Sequence, residues 1–448
     1  MKRTVGILIL LIMATADAVV AEPAVHLLTL KGAIGTALEN NNRIREAGFN
    51  ADAARHGVAL AGSYYPNLSF EETLTASNTP TQTFMMKLDQ GRFTQNDFLI
   101  SNLNHPGAWN DFRTVLNIQQ PLYTPSFSPA RVIAAQEARK ETLALESTRQ
   151  ETAFLVFRRY LDIQRNQAQL KAAEKSVDDA RENMRLATVR SETGIGLHSD
   201  ELRARTHLSS IEQQLITARN NLTLAKMQLA VTAGLPDDAV VDISDQVSPV
   251  TVGFSPSDLI TAALEGRSDL LQYRAGLEKA AAAVRLAGSA YLPTVNAFAS
   301  YQLNARETPF GSDNDAWMAG VSLKWQLFDG FRRDNEYARA MAGRFAAAEL
   351  LEGRNREIRF EVREAVLRCE ETAKRLEVGR HTVVDAEETV RLLTRRFENS
   401  LATMVELLDA QTALNQTRAT LVDTEANYAL AGARVYYTAG IFLKEIMK

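Results

Sequence analysis

The chain has 448 residues, 46% of them hydrophobic, and a formal net charge of −4. This balance leaves no basic footprint, and no Lys/Arg run with interleaved aromatics occurs, which excludes nucleic acid as a partner class. The single cysteine, Cys369, excludes an intramolecular disulfide, and its apolar heptad position reads as a buried rather than a reactive thiol.

The N-terminus carries Lys2 and Arg3, an apolar run over 5–13, and Val19-Val20-Ala21 before Glu22. This pattern predicts a signal peptide over 1–21 and an exported protein. The apolar run falls short of the roughly 20 residues that a spanning helix requires. No cysteine follows it, so a lipid anchor is not expected. Further along, no apolar run approaches a spanning helix, and any membrane crossing must be made by strands.

In chain order the periodicity predicts helix over 30–65, strands over 66–77 and 113–123, helix over 126–190, a break at 193–199, and helix over 199–233. Gly234-Leu235-Pro236 stops that helix, and 236–253 reads as a linker with room for a short strand. The order then repeats: helix 255–290 behind the start signal Ser255-Pro256-Ser257-Asp258, strands 292–304 and 316–328, helix 330–398, a break, and helix 403–439. A fixed shift of about 206 residues pairs Glu192 with Glu398, Leu202 with Leu408, Ala204 with Ala410, Thr206 with Thr412 and Thr232-Ala233-Gly234 with Thr438-Ala439-Gly440. The chain is therefore internally duplicated. It divides into the signal (1–21), a first repeat (22–235), the linker (236–253), a second repeat (254–441) and a tail (442–448).

Each long helix, of about 65 residues at ~1.5 Å per residue, would reach roughly 100 Å and needs lateral packing. Heptad spacing supplies it through Val156, Ile163, Leu170, Val177 and Met184 in one helix, and Val362, Cys369, Leu376, Val383 and Val390 in the other. Small residues such as Ala365, Thr372, Gly379 and Ala386 recur three positions on, allowing close approach. Taken alone, the helices also fit a coiled-coil rod.

The strands change that reading. Over 316–328, Trp317, Ala319, Val321, Leu323, Trp325 and Leu327 alternate with more polar residues. Val295, Ala297, Ala299, Tyr301 and Leu303 alternate likewise, with Phe298 as the exception, and Leu116, Ile118 and Leu122 do the same. Such strands suit a transmembrane barrel, with the apolar face to lipid and the polar face to water. A soluble, half-buried sheet reads them equally well, and the exported, duplicated, cysteine-poor context favours the barrel. Four strands cannot close a barrel alone, so association of copies is required.

With both halves laid out, the chain resembles the TolC-like outer-membrane efflux protein family over nearly all its mature length. The resemblance is carried by the two helix–tip–helix repeats ending "AVTAGLP" and "YYTAGIF", by "QPLY" (120–123) and "WQLFDG" (325–330), and by "VELLDAQTAL" (405–414). It implies a mainly α fold with transmembrane β. Each of three protomers would give four strands to a twelve-stranded barrel and its coiled-coil hairpins to a periplasmic α-barrel. It further implies a passive duct that docks a periplasmic adaptor (membrane fusion) protein and an inner-membrane pump, with no cofactor.

By the same resemblance, the breaks are turns at the tunnel's periplasmic mouth, with Gly194, Gly196, Ser400 and Ala402 as adaptor-docking tips. Glu406 and Asp409 match acids that ring the entrance, and Ser199 and Asp200 match a polar pair on the neighbouring hairpin. At i,i+3 spacing Glu406 and Asp409 share a helix face. Charges ~10 Å apart repel by only roughly 0.4 kcal/mol in water, so the ring is expected to favour cations and raise some pKa values rather than set the aperture. Asp200 and Glu406 also fit a plainer role, as acids complementing helix N-termini. The family's closing tyrosine and arginine fall on Phe397 and Ala402 here, so the resting mouth is expected to be held differently or less tightly.

Residues 78–112 have no counterpart in the second half. Phe84, Phe93, Phe98, Trp109 and Phe112 allow this insert to fold on itself or over the barrel mouth, and a mobile loop is the other reading. Met85-Met86 reads as packing rather than a soft-metal site. An enzyme is not expected: Gly194-Ile195-Gly196 lacks a third glycine and a preceding strand, and His198 and His207 share a hairpin without further metal ligands at suitable spacing. A periplasmic helical-hairpin adaptor or scaffold explains the heptads and the signal but leaves the strand pairs without a use.

Overall fold

The computed structural model of the chain describes residues 25–236, 238–247 and 253–447. The expected signal segment lies outside these residues. The first repeat contains β1 (Val25–Leu28), α1 (Leu30–Asn40), α2 (Asn42–Ala61), β2 (Asn67–Ser77), α3 (Pro80–Asp89), a 3-10 turn (Gln95–Phe98), α4 (Ile100–Asn104), β3 (Trp109–Tyr123), α5 (Phe127–Glu192) and α6 (His198–Ala233). After β4 (Val240–Ile243) come α7 (Pro256–Gly266), α8 (Ser268–Ser289), β5 (Thr294–Ala305), β6 (Asn314–Lys324), α9 (Arg332–Glu398), α10 (Met404–Thr438) and α11 (Phe442–Ile446). No helix among the described residues is long and apolar enough to cross a membrane.

Two compact units form, and they do not coincide with the two repeats: each draws on both. A helical unit takes the chain up to Ile44, Arg149–Pro256 and the chain from Val362 onward; a sheet unit takes Arg45–Thr148 and Ser257–Glu361. Helices α5 and α9 contribute to both.

In the helical unit, Ile34, Phe157, Leu229, Ala433 and Phe442 form a fully buried core. The linker contributes β4, which pairs in parallel with β1, Val25 against Val240 and Leu28 against Ile243. Tyr160, also buried, donates from its hydroxyl to the Asp245 carboxylate, and Asp245 accepts from the Leu30 amide at 3.2 Å. Burial raises the Tyr160 pKa, and the Asp245 carboxylate adds to the shift. The expected tail is instead the packed helix α11, its Phe442 ring set edge-on against Phe154 and Phe157. Cys369 is half-buried, and burial pushes its thiol up.

Helix 30–65 breaks at Asn41, where the backbone turns extended (φ −66°, ψ 127°). The Asn41 amide donates to Thr232 O at 2.9 Å and its carbonyl oxygen accepts from Arg43 N, so side-chain bonds replace the helical ladder. Nearby, Gly234 caps α6 in the left-handed region (φ 71°), and a Cβ there would lie 2.7 Å from the Asn40 carbonyl group. Gly234→Ala is therefore expected to cost more than about 1 kcal/mol, read as a lowered melting temperature by circular dichroism.

The sheet unit holds one antiparallel sheet in the order β2-β3-β5-β6, with β2 and β6 as open edges. The register stacks Phe70, Leu116, Tyr301 and Trp317 across it, and Leu68, Ile118, Ala299 and Ala319 beside them. Val321 and Leu323 extend that face on β6, and its large apolar side chains are exposed. Asn117 and Ser300 pair on the opposite face, where Asn296 pairs with Ser322. Phe298, the exception to the alternation, sits on this polar face opposite Gly320, where its ring fills the space a side chain would take; a Cβ at 320 would lie 2.7 Å from it. β6 stops at Lys324 although the alternation continues to Leu327, because the carbonyls of Gln326 and Leu327 accept from Arg333 instead of a strand. The mobile-loop reading of the insert is corrected: α3, the 3-10 turn and α4 are folded, with Phe84, Phe93 and Phe98 edge to face.

Arg267 breaks the predicted 255–290 helix into α7 and α8. It pairs with Asp269 (2.8 Å) and Glu361 (2.6 Å), and Arg354 pairs with the same two acids. Burial pushes the Asp269 carboxyl up, but Arg267 and Arg354 outweigh it and hold it at about 2, below its ordinary 3.8. A depressed carboxyl stabilises fully above its unfolded value and loses that contribution as pH falls through its folded value. Asp269→Asn is expected to destabilise by on the order of 2 kcal/mol at pH 7. In thermal melts the difference from the unsubstituted chain should shrink between about pH 4 and pH 2.

Candidate functional site at the helical tips

Within the helical unit, α5 and α9 end in turns that the duplication makes equivalent. In the first, Ile195 N and Gly196 N both donate to Arg190 O (3.0 and 2.8 Å), closing the helix with Gly194 left-handed at φ 74°. A Cβ on Gly196 would meet the Arg190 Cβ at 2.9 Å and its carbonyl carbon at 3.1 Å, so a glycine is needed there. In the second turn Ser400 takes the left-handed place of Gly194 (φ 60°), and Leu401 N donates to Arg396 O at 2.7 Å. Beneath the turns, Ala187, Ala204, Phe397, Met404 and Leu407 form a small core, with Ala402 packed against it.

The four acidic and polar positions predicted for the mouth differ in state. Glu406 closes a capping box at the start of α10. Its carboxylate accepts from Thr403 N (2.7 Å) and Thr403 Oγ1 (2.9 Å), while Glu406 N donates to Thr403 Oγ1 (3.3 Å). The backbone hydrogen bond from Thr403, aided by its hydroxyl, holds the Glu406 carboxyl below the usual range. That direction is opposite to the rise expected of a repelling ring, because within one chain the local donors act at hydrogen-bond distance. The dipole-complementing role thus holds for Glu406. Asp409 shares its exposed face and has no partner among the described residues. Ser199 and Asp200 lie in the first turn of α6, whose cap residue Leu197 provides no side-chain bond. No hydrogen bond or ion pair among the described residues joins this pair to Glu406 or Asp409.

The two turns themselves are brought together by Arg190, which the sequence reading missed. Its guanidinium donates to Phe397 O (2.9 Å), Glu398 O (3.1 Å) and Ser400 Oγ (2.8 Å), and it stacks 4.8 Å from the Phe397 ring centroid. A cation thus satisfies the orphan carbonyls that end α9, where the helix dipole favours positive charge. Phe397 and Ala402 serve packing, and Arg190 supplies the polar link between the hairpins. The available signal was its duplicate, Arg396, which bonds the Leu401 carbonyl of its own turn at 3.1 Å.

Duplicated helical hairpins with acids at their tips, together with a sheet that exposes an apolar face and leaves both edges open, are the features of an outer-membrane protein that combines a mainly α fold with transmembrane β. The chain belongs to the family described as "Outer membrane efflux protein", whose profile matches residues 33–235 and 259–440. Membership places it in the outer membrane of a Gram-negative bacterium. It is similar to the outer membrane protein TolC of Escherichia coli (strain K12), 24% identical over 282 residues that cover 59% of this chain and 55% of that protein. The matched part thus spans little more than half of that relative. The proteases secretion protein PrtF of Dickeya chrysanthemi is 21% identical over 423 residues, 92% of this chain and 88% of PrtF. Among solved structures, the outer membrane protein VceC of Vibrio cholerae shares the fold, with a TM-score of 0.76 at 20% identity over 92% of this chain and 96% of that one.

Proposed function

We propose that this protein is the exit duct of a tripartite efflux pump or a type I secretion system. Three copies close a barrel in the outer membrane and passively conduct substrate delivered by an inner-membrane pump through a periplasmic adaptor. The observation that carries this reading is the sheet: an apolar face exposed on all four strands, with the outer edges of β2 and β6 unpaired among the described residues, is costly in water and stable in lipid once copies pair edge to edge. A periplasmic adaptor or scaffold would have no use for such a face, and nothing favours that alternative. Among relatives, PrtF is named for the secretion of proteases, which supports the secretion arm; the family name supports the efflux arm. The duct has no chemistry of its own, and its tips Gly194, Gly196, Ser400 and Ala402 are the surface offered to an adaptor. Membrane fractionation tests the reading. Trimers in the outer-membrane fraction that dissociate only on heating are expected, and a soluble periplasmic monomer overturns it.

A further inference from the structure

We propose that the cavity between α5, α6 and α10 in the helical unit binds a small oxyanion, a carboxylate or a phosphate, through the guanidinium groups of Arg158, Arg159 and Arg165. The site is built from a single chain, so it does not rest on the proposed duct.

Charge singles the cavity out. Its volume is about 500 Å³, and the charged side chains that line it are Arg158, Arg159, Arg165 and a single acid, Asp162. Their spacing of three, four and seven positions places them on one side of α5. Asp162 is shared, 3.4 Å from Arg159 and 3.6 Å from Arg165, and Arg158 has no carboxylate partner among the described residues. Asp423 of α10, held by the Gln169 amide at 2.8 Å, stands 3.9 Å from Arg165, too far for a hydrogen bond. Three cations therefore face two acids. The duplicated stretch of α9 has no such excess. There Glu364, Arg368 and Glu371 are the counterparts of Arg158, Asp162 and Arg165, and with Arg375 they close a ladder of two acids and two bases.

Hydrogen bonding points the same way. Among the described residues, six buried side-chain polar atoms lack a partner, and two of them are Arg159 Nε and Arg165 Nε. Two more, His207 Nε2 and Asn415 Nδ2, belong to an adjoining cavity, which shares Gln169 and Asn221 with the first and has no carboxylate in its lining. A guanidinium Nε and an amide Nδ2 only donate, so three of these four atoms require an acceptor. A buried N–H without one is destabilising. An oxyanion supplies acceptors and offsets the excess positive charge in the same step. The facing walls carry neutral donors, the side-chain amides of Asn221 and Gln228 on α6 and of Asn427 on α10. A carboxylate or phosphate seated among these groups joins three helices drawn from both hairpins of one copy.

The test is isothermal titration calorimetry of the full-length protein in detergent, with inorganic phosphate in one arm and acetate in the other at fixed ionic strength. Saturable binding of at least one is expected, weakening as chloride is raised; the tighter arm names the class of ligand. Arg158→Gln combined with Arg165→Gln should weaken binding about tenfold or more. Asp162→Asn removes the one acid of the lining and should tighten binding about threefold or more. If the double variant does not fold, Arg158→Gln alone, at an exposed position, should still weaken binding. The bound ion should also raise the melting temperature of the unsubstituted chain and leave that of the double variant unmoved. Lack of saturable binding in both arms, equal binding by the unsubstituted and Arg158→Gln chains, or weaker binding by Asp162→Asn overturns the site and leaves the duct standing. Failure to form trimers overturns the duct alone.

Discussion

Arg190→Ala is expected to raise the resting conductance of the reconstituted channel without preventing trimer formation. The guanidinium reaches across the hairpins to two terminal carbonyls and a hydroxyl of α9's turn, and stacks on Phe397. Its site is only partly buried, so the three charge-assisted bonds together stabilise the link by about 2 kcal/mol rather than by their dry-interior sum. That corresponds to roughly 30-fold in the ratio of tied to released tips. Arg190→Lys should recover only part of the effect, because a point-charge ammonium cannot serve three acceptors as a planar fork does. Since the core of Ala187, Ala204, Met404 and Leu407 remains, the hairpins should stay helical and the change should be confined to the turns. Limited proteolysis at 399–402 provides the second readout, with faster cleavage expected in Arg190→Ala. Unaltered conductance together with unaltered cleavage would show that this arginine does not hold the tips.

The second large effect concerns the two acids at the start of α10, Glu406 and Asp409. Asp409→Asn is expected to lower cation-over-anion permeability roughly two- to fivefold in planar bilayers at low salt, and less at high salt, where screening acts within about 8 Å. Glu406→Gln should do less to selectivity. The Glu406 carboxylate is already committed to Thr403, and glutamine can also complete a capping box. Glu406→Ala, which cannot, should loosen the first turn of α10. An unchanged reversal potential in the Glu406→Gln, Asp409→Asn double variant would remove these acids from the account of permeation. Because the capping donors hold Glu406 below the usual range, its charge persists on acidification past the point where an unassisted glutamate is neutralised.

How much of this was legible in the residues depends on the reach of each signal. The long helices and the strand faces were readable because a period of seven or of two recurs many times, and each recurrence restates the same burial. The duplication was readable because a constant shift keeps Leu202 over Leu408 and Ala204 over Ala410. The tip acids were located by that same repetition, although spacing could not tell that Glu406 turns back on Thr403 while Asp409 has no partner among the described residues.

Contacts between distant segments had to come from the folded chain. The Arg190 link joins residues more than two hundred positions apart, Gln90 finds Asp111, and Asn41 breaks a helix by bonding Thr232. In each case a side chain satisfies a backbone or buried polar group that packing alone brings within reach, and no periodicity records such a meeting. The same holds for β1, too short to signal itself, and for its pairing with β4, which the linker had room for but whose partner no pattern named. Pattern therefore specified which surfaces are greasy and which are wet across this protein, whereas three-dimensional packing chose the few polar bonds that tie its ends, because such bonds depend on where two distant groups are delivered rather than on what surrounds either in the chain.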